Sequence, residues 1–261
     1  MDEIEIQNSQ KIKKTDLLKM FFRSFLVQGS WNYRSLLGLG FCFCTFPVLK
    51  RLCSSEEEKK QFMDRHLSFF NAHPYFAGYC LGAVAKMEEN RQRAHIEDDR
   101  IIRLFKERLV GPLGAIGDRL FWSNIKPCAA GIGVWLGLIF GWIAVPVFLV
   151  LYNIPHLYFR AKGIYAGYKK GFEVIPYISE KKYKKLLTFI PLVGLFVAGL
   201  CAGIIIHLQF KNGLSYILTF ISAFAASVWA NSQKININYI IILATIIAVL
   251  IGSIARYIVT I

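Results

Sequence analysis

The 261-residue sequence predicts an all-α, polytopic integral membrane protein with broken or re-entrant helices and three C-terminal transmembrane spans. Three observations predict this class. The chain is 55% hydrophobic with a mean hydropathy of +0.43, which places it with membrane proteins. The stretch from Pro127 to Phe159 contains no charged residue. All 17 acidic residues lie at or before Glu180, and beyond Lys181, Lys182, Lys184 and Lys185 only Lys211, Lys234 and Arg256 are charged. On a soluble protein the formal net charge of +14 would suggest nucleic acid. In an apolar chain it reads as basic cytoplasmic segments flanking membrane spans, so the expected surroundings are a lipid bilayer and no nucleic acid.

Three regions follow: a polar tail over 1–14, a mixed core over 15–175 and a membrane-embedded tail over 176–261. The first twenty residues are polar and charged, so no cleavable signal peptide is expected. From Asp16 to Val27, Leu18, Phe21, Phe22 and Phe25 recur at helical spacing with Lys19 and Arg23 on another face. Such an amphipathic helix lies at a membrane surface or grips a protein. Ser35 to Leu49 is uncharged but short for a span, and Pro47, Gly38 and Gly40 suit a partial or bent insertion. Ser54 and Ser55, with Glu57 and Glu58 three residues on, form overlapping capping boxes that open a helix near Glu56. The uncharged run from His66 to Ala85 contains Gly78 and Gly82 one helical turn apart.

Lys86 to Arg108 is dense in both charges. Asp99, Arg103 and Glu107 are spaced for i,i+4 pairing, and Ile101, Phe105 and Leu109 form an apolar stripe, so a solvated cytoplasmic helix is expected. A straight helix over 127–159 would reach ~50 Å against ~30 Å of hydrocarbon, which is too long for one span and short for two. Pro146 and Pro155 are the expected break points, and basic flanks favour a re-entrant hairpin. Leu186–Phe210, Asn212–Gln233 and Ile235–Ala255 are each long enough to cross once. Gly133, Gly137 and Gly141, like Gly163, Gly167 and Gly171, bring small residues one turn apart for close helix packing.

Asp118 is the first candidate site residue. A carboxylate at the edge of membrane-depth sequence marks function by default. The surrounding Gly111, Gly114 and Gly117 are expected to form a loop that lets backbone approach a ligand closely; a structural ion pair with Arg119 or Lys126, or a helix cap, is the competing reading. Trp31 and Asn32 offer a ring face and an amide to a bound ligand, or an interfacial anchor and a cap. Asn71 and His73 beside Pro74, and Asn153 and His156 around Pro155, either line a cavity or satisfy backbone opened by the prolines. His207 alone in an apolar span reads as an interhelical hydrogen bonder. The six cysteines show no metal spacing, so no metal, disulfide framework or cofactor is expected, and no nucleophile–base set is visible.

The runs FFRSFLVQGSWNY (21–33), GLGFCFCTFPVLKRL (38–52), RHLSFFNAHPYFAG (65–78), GPLGAIGDRLFW (111–122) and YNIPHLYFRAKGIYAGYKKG (152–171) resemble the IID component of mannose/fructose/sorbose-type bacterial phosphotransferase systems. The resemblance covers about residues 15 to 175 in order and continues loosely through the tail. It implies a multi-pass subunit of the bacterial inner membrane, with a cytoplasmic N-terminus. Such a subunit pairs with a IIC protein to conduct a hexose-type sugar. Cytoplasmic IIA and IIB proteins supply the phosphate, so the subunit is not an enzyme by itself. The chain departs from the family at Arg34, where Glu is common, and at Arg119, where a small residue or Pro is common. Arg34 is the feature that favours the rival reading, a non-transporting scaffold or a docking or receptor protein.

Overall fold

A computed structural model describes residues 11–94, 96, 98–178 and 180–210. The fold is helical, and its extended pairing among the described residues is confined to isolated bridges, Asn32 with Leu36 and Leu36 with Phe70. The chain divides into two compact units, 1–197 and 198–261. The description below concerns the first.

Helix α1 spans Lys14–Ser24, opened by a carboxylate of Asp16 that accepts from the Lys13 N–H at 3.0 Å. Its buried side is Asp16, Met20 and Ser24, while Leu18 and Phe22, and Phe25 just beyond, are exposed. Of the apolar stripe read from the sequence, Leu18, Phe22 and Phe25 therefore face away from the protein, while Phe21 is half-buried against the core. Helix α2 spans Gly38–Leu52, with Pro47 inside it. Gly40 admits the Val27 backbone so closely that a side chain there would overlap it. Helix α3 spans Glu56–His66 and opens where the sequence predicts: Ser55 Oγ accepts from the Glu58 N–H at 3.2 Å, and Glu58 accepts from the Ser55 N–H at 3.1 Å.

Helix α4 spans Ala77–Arg93 and α5 spans Arg100–Leu120, so the charged segment 86–108 is divided between the ends of two helices rather than forming one. Its docked stripe is Ile102, Phe105 and Leu109, whereas Ile101 is 58% exposed. Arg103 pairs with Asp99 at 3.0 Å, as the spacing predicts. The expected glycine loop over 111–117 is instead the second half of α5. The buried series Leu109, Leu113, Ile116 and Leu120 extends the stripe through the glycines, and this packing outweighs their low helix propensity and that of Pro112.

A single π-helical turn, Phe121–Ile125, links α5 to α6 (Lys126–Phe140). A 3₁₀ turn at Gly141–Ile143 then leads into α7 (Ala144–Lys170). The division of the 127–159 segment falls at Gly141, whose φ of +63° is open to glycine at no steric cost. It does not fall at Pro146, in the first turn of α7, or at Pro155, inside it. Helices α6 and α7 fold back on each other there, Gly133 against Phe148 and Gly137 against Ala144. Their apolar residues point outward: Val134, Ile139, Phe140, Val145, Leu149 and Ile154 are all exposed, the reverse of a soluble domain and the surface a bilayer solvates. After a 3₁₀ turn at Gly171–Glu173 come α8 (Val174–Tyr177) and α9 (Glu180–Phe210). Helices long and apolar enough to cross a membrane lie within 100–177 and 181–201. The predicted spans Asn212–Gln233 and Ile235–Ala255 lie outside the described residues, as does the His207 side chain.

The most extensive helix pair is α4 with α7, running in the same direction. A Cβ on Gly78 would stand 2.7 Å from Arg160 O, and one on Gly163 would stand 2.9 Å from Tyr79 N. Gly82 and Gly167 are tighter still, facing Ile164 O and Tyr79 O. Two small-xxx-small motifs thus interlock, which brings the backbones into direct contact.

Candidate functional site

The α4–α7 contact sets the middle of α7 against the segment leading into α4. Tyr152, His156 and Arg160 follow one another at i, i+4 and i+8 on one stripe of α7. Across from them, Tyr75 donates to or accepts from the Tyr152 hydroxyl at 2.9 Å, and its ring stacks on His156 at 4.6 Å and 29°. The Arg160 guanidinium lies 5.3 Å over Tyr75 and 4.8 Å over Phe25, and donates to Ser24 O and Oγ at the end of α1. A buried cation is thus held by a carbonyl, a hydroxyl and two ring faces.

His73 completes the cluster. It is 2% exposed, stacks on Phe121 of the π turn at 5.3 Å and 22°, and accepts the Tyr75 N–H at Nδ1 over 3.2 Å. A side chain on Gly117 would overlap the His73 Cβ, so α5 reaches this point only because position 117 has none. His73 Nε2 and His156 Nδ1 are buried with no hydrogen-bond partner among the described residues. The cluster therefore keeps spare hydrogen-bonding capacity beside aromatic faces and partly exposed Trp122, Tyr75 and Tyr152. A π turn inserted between α-helices is a recurrent mark of functional sites.

The predicted residues separate into two groups. His73 joins Asn153 through Tyr75 and His156: Asn153 Oδ1 lies 3.0 Å from His156 Nε2, and its amide donates to Leu149 O at 2.7 Å. Trp31, Asn32 and Asn71 form the second group. Asn32 Oδ1 accepts from the N–H groups of Arg34 at 3.0 Å and Ser35 at 2.9 Å, a side-chain-closed turn. That turn is stitched to the segment between α3 and α4 by Leu37 N–H to Phe70 O at 2.9 Å and Phe70 N–H to Ser35 O at 3.2 Å. Leu36 takes a left-handed φ of +50° there. Trp31 is 49% exposed against Tyr33, and Asn71 is exposed beside Phe70. Asp118 stands apart. It is exposed on the outer surface of α5, next to Gly117, rather than enclosed within this chain. Gly111 and Gly114 meet nothing within 4 Å, so they admit no close neighbour of this chain. Gly141 serves the turn, and Gly133 and Gly137 pack the α6–α7 hairpin.

Sequence reasoning missed Tyr75, Phe121, Tyr152 as a hydroxyl partner, and Arg160. The i, i+4, i+8 spacing of Tyr152, His156 and Arg160 was a usable signal for three polar groups on one face.

The charged ends of α3, α4 and α5 form a second cluster. Arg65 Nε and Nη2 hold Glu88 at 2.9 and 3.1 Å, His66 Nε2 lies 2.9 Å from the same carboxylate, and Lys106 Nζ donates to Arg65 O, His66 O and Ser68 Oγ. Burial pulls the His66 imidazole down to about 4 against the opposing pull of Glu88, so it is neutral at pH 7. Burial alone would raise Glu88, but His66 and Arg65 overcome it and hold the carboxyl well below its usual range. Beside it, a cleft of about 520 Å³ is lined by Gln61, Asp64, Arg65, Arg91, Asp99 and Arg103.

Comparison with known proteins gives one consistent result. Residues 11–257 match the model of the PTS system mannose/fructose/sorbose family IID component. The chain is 34% identical over 200 residues to the mannose-specific EIID component of Escherichia coli K12, covering 76% of this chain and 71% of that one. It is 34% identical over 190 residues to the sorbose-specific EIID component of Klebsiella pneumoniae (73% and 69%) and 32% identical over 195 residues to the fructose permease IID component of Bacillus subtilis (74% and 70%). Among solved structures it is similar to a chain of the cryo-EM complex of the mannose transporter ManYZ with microcin E492. That match has TM-score 0.60 and 30% identity, and covers 92% of this chain and 96% of that one.

Proposed function

This chain belongs to the mannose/fructose/sorbose family of phosphotransferase-system IID components, and we propose that with a IIC subunit it lines the sugar path of a hexose-type uptake system served by cytoplasmic IIA and IIB proteins. As a IID component it is a membrane subunit of a bacterial sugar-transporting phosphotransferase permease. The observation that carries the finer reading is the exposure of Asp118 on the outside of the subunit, nine residues before the uncharged stretch that starts at Pro127. A carboxylate there is costly against lipid tails and stable against a polar partner surface or a water-filled path. A second polypeptide supplies that cover.

In this reading Asp118 accepts hydrogen bonds from sugar hydroxyls at the shared boundary, with Asn71 and Trp31 as further outward-facing contacts. Asn32 and His73 shape the two loops behind them, and Asn153 stands beside His156 on α7. The chain itself performs no phosphate chemistry, which belongs to histidines on IIA and IIB. The inner membrane is its location, with the N-terminus and the Arg65–Glu88 end on the cytoplasmic side, where the cleft between Asp64 and Arg103 receives IIB.

The test is reconstitution. Cells lacking a mannose-type system, given this chain with its IIC, IIA and IIB, should accumulate phosphorylated label from a panel of mannose, fructose, sorbose and glucosamine. Neither membrane subunit alone should do so. Accumulation without this chain, or its failure to co-purify with IIC, would overturn the reading.

A further inference from the structure

We infer that the pocket between α1 and α2 binds the phosphate-bearing headgroup of an anionic lipid. The pocket has a volume of about 340 Å³ and is lined by Asp16, Lys19, Arg23, Pro47, Lys50 and Arg51. Four cations less one carboxylate leave it a net charge of +3. The single acid is already committed: Asp16 accepts the Lys13 N–H at 3.0 Å and both Nε and Nη2 of Arg51 at 2.9 and 3.3 Å. Lys19, Arg23 and Lys50 have no ion pair among the described residues. Arg23 is fixed in place, its Nη1 donating to Phe43 O at 3.1 Å and its guanidinium lying 4.3 Å over the Phe43 ring. One of its five N–H donors is used, and the planar fork is pre-set for an oxyanion.

The position of the pocket says which anion. Leu18 and Phe22 on the outer face of α1, and Phe25 just beyond its end, follow at i, i+4 and i+7, exposed by 55, 62 and 42%, beside Lys19 and Arg23. A helix with an outward apolar stripe flanked by cations lies in the membrane interface, its rings in the acyl boundary and its cations at the level of the headgroups. The phosphate of a lipid whose tails run along that apolar stripe meets the pocket, whereas a zwitterionic headgroup brings an ammonium into a net +3 site.

The test uses the full chain purified with its IIC partner in detergent and stripped of lipid. Native mass spectrometry follows the binding of phosphatidylglycerol, phosphatidylethanolamine and inorganic phosphate. Phosphatidylglycerol should bind at least tenfold tighter than phosphatidylethanolamine. The exposed pair Lys19→Gln with Lys50→Gln should lose that preference, while Lys60→Gln on α3 should keep it. Equal affinity for the two lipids, or a preference surviving the double substitution, overturns the inference. Displacement of phosphatidylglycerol by equimolar inorganic phosphate would show a free-anion site instead and overturn it too.

Discussion

Substituting Gly82→Ala tests the α4–α7 contact at its tightest point. A Cβ at position 82 would stand 2.7 Å from Tyr168 N and would overlap Ile164 O outright, while ordinary van der Waals contact begins at 3.4 Å. Tyr168 N alone requires helices α4 and α7 to part by about 0.7 Å, and Ile164 O requires more. The same displacement loosens the Gly78, Gly163 and Gly167 contacts and moves Tyr75 away from His156 and Tyr152. Overpacking of this kind costs about 1–3 kcal/mol, more where backbone rather than side chain must yield. At ~2–4 °C per kcal/mol for a domain of this size, the purified protein should melt several degrees lower. Gly114→Ala is the internal control. It meets nothing within 4 Å, lies inside α5, and should stabilise by up to about 1 kcal/mol through helix propensity alone. Thermal unfolding followed by intrinsic fluorescence reads both. A Gly82→Ala protein as stable as the parent would refute the close-packed α4–α7 contact.

Other expectations follow from the buried charges and hydroxyls. Glu88→Gln removes the buried charge that Arg65 and His66 share, leaving Arg65 only the longer 3.8 Å pair with Asp99, and should destabilise by about 3 kcal/mol, measured by denaturant or thermal melts; a change under 1 kcal/mol would contradict the burial of that pair. His66 is held neutral, so the unfolded chain binds its proton more readily than the folded one, and stability should fall as pH drops from 6.5 towards 4. Glu88, held low, keeps contributing above its usual carboxyl range and adds to the loss only at more acid pH. In His66→Gln the first part of that decline should vanish from a pH series of melts. Tyr152→Phe keeps the ring and removes the hydroxyl facing Tyr75, a change of about 0.5–1.5 kcal/mol. If the cluster shapes the sugar path, the apparent KM for uptake should rise about two- to tenfold with little change in assembly; unaltered kinetics would confine it to packing.

Much of the local structure was legible because its cause is local. The Ser55–Glu58 box, the Asp99–Arg103 pair and the two interlocking glycine motifs each follow from spacing within a few residues. Glycines mislead where a longer signal competes: the buried stripe from Ile102 to Leu120 carries α5 straight through Gly111, Pro112 and Gly114. The turn between α6 and α7 uses the positive φ of Gly141, and nothing in the sequence separates Gly141 from Gly133 or Gly137. The candidate site was half visible. His73 and Asn153 were singled out as polar groups near prolines, but their joining through Tyr75 is a contact across 77 residues. The hold of Ser24 on Arg160 spans 136, and no periodicity reports that. Asn32 was read equally as sugar ligand or cap, and its side chain closes the turn. Asp118 was singled out as a carboxylate beside membrane-depth sequence, and the structure places it on the exposed face of α5.

The most direct measurement is sugar uptake by Asp118→Asn, with co-purification of IIC measured in the same membranes. The substitution keeps size and hydrogen bonding but removes the charge. Assembly with IIC should be retained and uptake abolished. Normal uptake by the assembled variant would take Asp118 out of the sugar path and leave that boundary without its central residue.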